Sequence, residues 1–105
     1  MARRPPQPPR LSAIESLILE LLTQQKDAMY GLQLVAASRR RLKRGTIYVT
    51  LGRMEEKGFI TSWLEAAPAE AGGLPRRLYE PTALGRRVLA AWTAAAQHFS
   101  PRFAQ

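Results

Sequence analysis

The chain has 105 residues, the size of one ordinary domain, and its lack of cysteine excludes disulfides, thiol catalysis and thiolate metal sites. Apolar residues at 46% exclude a wholly disordered protein, and a net charge of +8 favours a polyanionic partner, either nucleic acid or an anionic membrane. The longest nearly apolar run, Val88 to Ala96, is too short to span a bilayer, the N-terminus carries no secretory signal, and a cytoplasmic location is expected.

Residues 1–11 are rich in proline and arginine and read as a disordered basic arm, either a solvated tail or a segment that touches phosphates. Ser12 with Glu15 three residues later forms a capping box. An apolar stripe of Ile14, Leu17, Ile18, Leu21 and Leu22 follows, with Glu15, Ser16 and Glu20 off it, so the first helix runs to about Gln25. Asp27 is placed to cap a short second helix carrying Tyr30, Leu34 and Val35, in which Gly31 suggests close approach by a neighbouring helix.

The segment Ser38 to Gly45 holds five basic residues, which taken alone describe a solvated face. A third helix spans Thr46 to Lys57, with Gly58 as its left-handed cap. Its apolar side is Ile47, Tyr48, Leu51 and Met54, and its other side offers Thr46, Thr50, Arg53 and Lys57. Phe59 to Leu64 and Arg76 to Glu80 are the two arms of a β-hairpin whose long tip is rich in Ala, Pro and Gly. Thr82 caps a last helix with Leu84, Val88, Trp92, Ala95 and Phe99 on one face, and Pro101 stops it near Ser100. The expected organisation is an arm (1–11), a DNA-binding domain (12–81), a C-terminal helix (82–100) and a tail (101–105).

Three helices, a hairpin and a long helix make a mostly α fold with a small β-hairpin, the element order of a winged helix-turn-helix. The third helix would enter a major groove, and the hairpin would set basic residues beside it. Lys43 and Arg44 before that helix, and Arg76 and Arg77 in the hairpin, carry positive charge at both projections. The basic run is therefore better explained as phosphate-facing, and the expected partner is double-stranded DNA.

Tyr30-Gly31, the run Gly45 to Ile60, and Gly73-Leu74-Pro75-Arg76-Arg77-Leu78-Tyr79 with Thr82 and Gly85 resemble the PadR family of bacterial transcriptional regulators. The resemblance covers roughly Ser12 to Trp92. It implies a homodimeric winged-helix repressor whose last helix is the dimerisation arm, in the compact branch of the family. It also implies release from DNA by a small aromatic effector, a property of many members. The chain departs from the family's usual proline at Val49 and basic residue at Gly52. It also departs where Leu74 occupies a position often held by arginine, and where Glu80 and Pro81 replace a basic–apolar pair.

Thr46, Thr50 and Arg53 are candidate groove-facing side chains, and Arg53 can hold either a guanine edge or a phosphate. Tyr48 can contact DNA or serve as a half-buried core tyrosine. Lys57, near the helix end, also suits the helix dipole. Arg76 and Arg77 alternate across a strand, so one of them is expected to face DNA, and Arg76 matches the family's wing better. Leu17, Val88, Trp92, Ala95 and Phe99 are candidates for the dimer surface, where Trp92 either packs or lines an aromatic pocket. His98 is the only histidine, and no clustered carboxylates surround it, so no metal site, cofactor or catalytic set is expected and the chain is read as no enzyme. Two rival readings are a protein-interaction module and a sequence-independent architectural DNA binder.

Overall fold

The computed structural model describes residues 10–66, 70 and 72–99, without the side chains of His98 and Phe99. The basic arm up to residue 9, the tail at 101–105 and the side chain of Phe99 thus lie outside the described residues. Leu11, expected within the arm, is buried in the core, so packing begins one residue before the first cap.

Helix α1 (Ala13–Gln24) starts where the sequence places it. The Ser12 hydroxyl accepts from the Glu15 N–H at 3.0 Å, and the Ser12 N–H donates to Glu15 Oε1 at 2.9 Å. The buried set on α1 is wider than the expected stripe: Leu19 is fully buried, whereas Ile14 is 40% exposed. The reason is the central place of α1, which packs against the second and fourth helices and the middle strand of the sheet.

The second helix is shorter than expected. Met29–Tyr30 forms a strand, β1, and α2 covers only Gly31–Ala37. Tyr30, not Asp27, is its N-cap, and the Tyr30 N–H donates to the Gln33 side chain at 3.0 Å. Helix α3 (Ile47–Glu56) follows a turn in which the Thr46 and Ile47 N–H groups both donate to the Lys43 carbonyl. It ends as the sequence predicts, with Gly58 at φ +81°. The Gly58 N–H reaches the Glu55 carbonyl and the Phe59 N–H reaches that of Met54, both at 3.0 Å, the paired bonds of a Schellman motif.

Strands β2 (Ile60–Glu65) and β3 (Arg76–Pro81) pair antiparallel from Ile60 opposite Pro81 to Glu65 opposite Arg76. β1 joins the free side of β3, giving the order β1-β3-β2. The expected hairpin is therefore part of a three-stranded sheet. Helix α4 (Ala83–Phe99) is capped by Thr82, whose hydroxyl accepts from the Gly85 N–H at 3.0 Å and donates to the Gly58 carbonyl at 2.6 Å. One threonine thus fastens the start of α4 to the end of α3. Ile18, Leu34, Ile47, Leu51, Met54 and Ile60 fill the core between α1, α2, α3 and the sheet.

Candidate nucleic-acid interface

On α3 the residues Ile47, Leu51 and Met54 face the core, spaced three and four apart. Tyr48, read from its type as part of that apolar side, is 51% exposed. Its ring lies over Gly31 of α2, where a Cβ would come within 2.6 Å of it, so the glycine lets the two helices approach. Val49 and Gly52 form the outward crest of α3, and open space surrounds Gly52.

The flank of α3 toward α1 carries Thr46, Thr50, Arg53 and Lys57 at helical spacing. These four line a groove of about 470 Å³ with Ser12 and Glu15 of α1 and with Arg41 and Lys43 of the turn. The structure therefore brings Lys43, Thr46, Thr50 and Arg53 to one surface. Arg44 is exposed beside it in the turn but does not line the groove. The Thr50 hydroxyl donates back to the Thr46 carbonyl at 3.2 Å, which leaves its oxygen free to accept. Arg41, which the sequence does not distinguish from the rest of the basic run, lines the groove with Lys43. The basic run was the signal, and only the turn's path decides which members face inward.

The acid in this groove is neutralised. Lys57 Nζ stands 2.7 Å from Glu15 Oε2, so Lys57 acts as a clamp between the end of α3 and the start of α1 as well as suiting the helix dipole. Glu15, expected off the buried stripe, is buried because of this partner. Burial pushes its carboxyl up, but hydrogen bonds from Lys57 and the Ser12 backbone outweigh burial and hold it below the usual 4.5. A carboxyl whose folded-state pKa is lowered contributes stability at pH values above its unfolded pKa, and the contribution fades as pH falls through the folded value. Lys57→Ala is expected to lose about 1 kcal/mol at pH 7, since the lysine side is half exposed. The deficit should shrink as pH falls through the lowered folded-state value of Glu15 and disappear once that carboxyl is protonated in the folded protein. Urea melts of both proteins from pH 7 into the acid range check it, and a deficit that stays constant as pH falls would rule the ion pair out as its source.

The wing arginines part as strand alternation requires. Arg77 lies on the α3 side: its Nη1 donates to Ser62 Oγ at 3.0 Å, and that hydroxyl donates to Glu55 Oε2 of α3 at 2.7 Å. Beneath this chain burial pushes the Tyr79 phenol up, opposed by Arg77 and reinforced by Glu55 and Tyr48. Arg76 is on the opposite face, its guanidinium 4.7 Å from the centre of the Tyr30 ring.

The candidate dimer residues also divide. Leu17 and Val88 are buried in the protomer's own core, which α1 and the first turns of α4 share, and so they are not available to a second copy. Trp92 is 40% exposed, and every residue from Ala90 to Gln97 is exposed. Leu84, assigned to the same face, is also exposed at the helix start. Among the described residues no helix is long and apolar enough to cross a membrane, and no group of His, Cys, Asp and Glu could hold a metal ion.

The profile of the transcriptional regulator PadR-like family matches residues 18–91. Among solved structures, the chain is similar to a PadR family transcription regulator from hypervirulent Clostridium difficile R20291, with 28% identity, a TM-score of 0.70, and coverage of 90% of this chain and 100% of that one. A PadR-like transcriptional regulator from Bacillus cereus is 24% identical over 87% of each chain, with a TM-score of 0.66. PadR of Bacillus subtilis, whose structure is a complex with operator DNA, is 23% identical with a TM-score of 0.68. That alignment covers 78% of this chain and 48% of the longer protein. No curated protein matches the chain significantly.

Proposed function

Because the chain belongs to the PadR-like family of transcriptional regulators, which are not enzymes, we propose that it is a homodimeric repressor that binds an inverted-repeat DNA operator through α3 and its wing. The observation that carries this reading is the groove beside α3, where Arg41, Lys43 and Arg53 stand with Thr46 and Thr50 around a carboxylate already paired to Lys57. Such a surface offers donors and positive charge to phosphates and base edges. The B. subtilis relative, whose structure is a complex with operator DNA, supports DNA as the partner. On the wing, Arg77 is the arginine on the side of α3, and it takes the DNA-facing role in place of Arg76.

The second copy docks on α4. The exposed half of that helix, Ala90 to Gln97, bears Trp92 and five alanines and no charged side chain. A contiguous apolar surface of that kind needs a partner in water. Pairing two copies about a two-fold axis covers it and sets the two recognition helices for half-sites one helical turn apart. Trp92 at such an interface also offers a ring on which a flat aromatic effector can stack, which would couple ligand and DNA through the dimer geometry. Action on DNA agrees with a cytoplasmic location.

Binding to a labelled duplex at a series of salt concentrations tests the reading. If each protomer neutralises roughly four phosphates, log affinity should fall against log salt with a slope of about −7. Arg53→Ala should weaken binding to the preferred sequence by roughly 1–3 kcal/mol if the guanidinium reads a base. A salt slope near zero would contradict the reading, and an unchanged affinity would remove Arg53 from it.

A further inference from the structure

We propose that Arg39 and Arg40 form a second DNA-binding element, a pair of backbone-phosphate anchors in the turn between α2 and α3, outside both the groove and the wing. The inference rests on the DNA-binding reading above and extends it to two residues that hold left-handed backbone past the end of α2 although neither is glycine.

Ser38 closes α2, and the next two residues sit in the left-handed region, Arg39 at φ 54° and Arg40 at φ 73°. L side chains adopt that region at a steric cost, and the position after a helix end is where glycine is favoured. The turn does not need the arginine side chains to hold its shape. Ser38 Oγ donates to the Val35 carbonyl at 2.7 Å and accepts from the Leu42 N–H at 2.9 Å, and Leu42 is anchored in the core. Both arginines are exposed, and among the described residues neither guanidinium has a hydrogen-bond partner or a carboxylate within ion-pair distance. A connector alone would be served better by two glycines.

Charge indicates what the guanidinium groups meet. No Asp or Glu occurs between Asp27 and Glu55, a stretch that carries Arg39, Arg40, Arg41, Lys43, Arg44 and Arg53. Arg41 and Lys43, from the same turn, already line the groove beside α3. Arg39 and Arg40 therefore flank the point where the start of α3 meets DNA, and the planar guanidinium fits a phosphate bidentately. Backbone held at this steric cost by non-glycine residues clusters at binding sites. Because phosphates carry no sequence information, this pair adds affinity on every sequence.

The full chain is compared with Arg39→Gly/Arg40→Gly and Arg39→Lys/Arg40→Lys variants. Each is titrated onto a labelled mixed-sequence duplex about three helical turns long, over a range of salt concentrations. Losing two phosphates per protomer should reduce the dimer's salt slope from about −7 to about −3.5 and weaken binding at least about tenfold near physiological salt. The glycine variant should melt at the wild-type temperature or a few degrees above it, because the strain is relieved. The lysine variant keeps the charge and should keep most of the slope. A glycine variant with the wild-type slope, a lysine variant as shallow as the glycine one, or a glycine variant melting several degrees lower would each overturn the proposal while leaving the DNA-binding reading in place. If the wild-type chain binds the duplex at no salt concentration, that reading fails, and this inference with it.

Discussion

Trp92→Glu is expected to yield a folded monomer whose operator affinity is about a hundredfold to ten-thousandfold lower than that of the wild-type chain. Trp92 is the one large side chain on the exposed half of α4, and its neighbours Ala91, Ala95 and Ala96 are too small to hold two helices together without it. Aromatic residues of this kind dominate interface energetics, and truncating one typically costs at least about 2 kcal/mol. A two-fold pair places the residue on both sides of the contact, so a glutamate there also sets like charges face to face. Because Trp92 is 40% exposed in the protomer and lies a turn beyond Val88, the last buried residue of α4 among the described residues, its replacement leaves the core intact. The loss on DNA then follows from avidity, because a protomer that must bind each half-site independently forfeits the effective concentration supplied by its partner. Sedimentation velocity and operator titration measure both parts. A variant that remains dimeric would remove α4 as the dimerisation arm.

The second large effect concerns the joint between α3 and α4. A Cβ built on Gly85 would run into the carbonyl of Phe59, a backbone atom fixed by the Schellman turn and by Thr82. A flexible side chain could move aside, but this carbonyl also accepts the Thr82 N–H at 3.0 Å. Gly85→Ala should therefore cost about 3 kcal/mol, the upper part of the usual range for overpacking. That is a large share of the roughly 5–15 kcal/mol that stabilises an ordinary domain. Gly52→Ala is the control: it sits in a helix with nothing near its Cβ and should be neutral or stabilising by up to about 1 kcal/mol. Thermal melts of the two variants should differ by roughly 15 °C. Equal melting temperatures would mean that the close approach at Gly85 carries no energetic weight.

Local signals in the sequence predicted the parts of the fold that local physics decides. The Ser12–Glu15 capping box, the left-handed Gly58 and the Thr82 cap each act within a few residues, and each holds in the structure. Gly31 foretold a close neighbour, which is the ring of Tyr48. The misreadings come from long-range pairings. Glu15 looks like a surface acid until Lys57, 42 residues away, arrives beside it. Met29–Tyr30 is too short to show a strand period and becomes a strand only because β3 has a free edge. Tyr48 groups by residue type with the apolar side of α3, with DNA contact as its other reading, and its position on α3 leaves it half exposed with its ring over Gly31 of α2. Of the candidate DNA-facing set, the α3 stripe was legible because helical spacing fixes it. The roles of Arg76 and Arg77 were not, since strand alternation separates them without saying which face carries α3.

The central claim, an operator-reading dimer, is tested most directly by selecting bound sequences from a random DNA pool at physiological salt. The account predicts enrichment of an inverted repeat with half-sites one helical turn apart. Recovery of no sequence above background, or of a single unrepeated half-site, would contradict it.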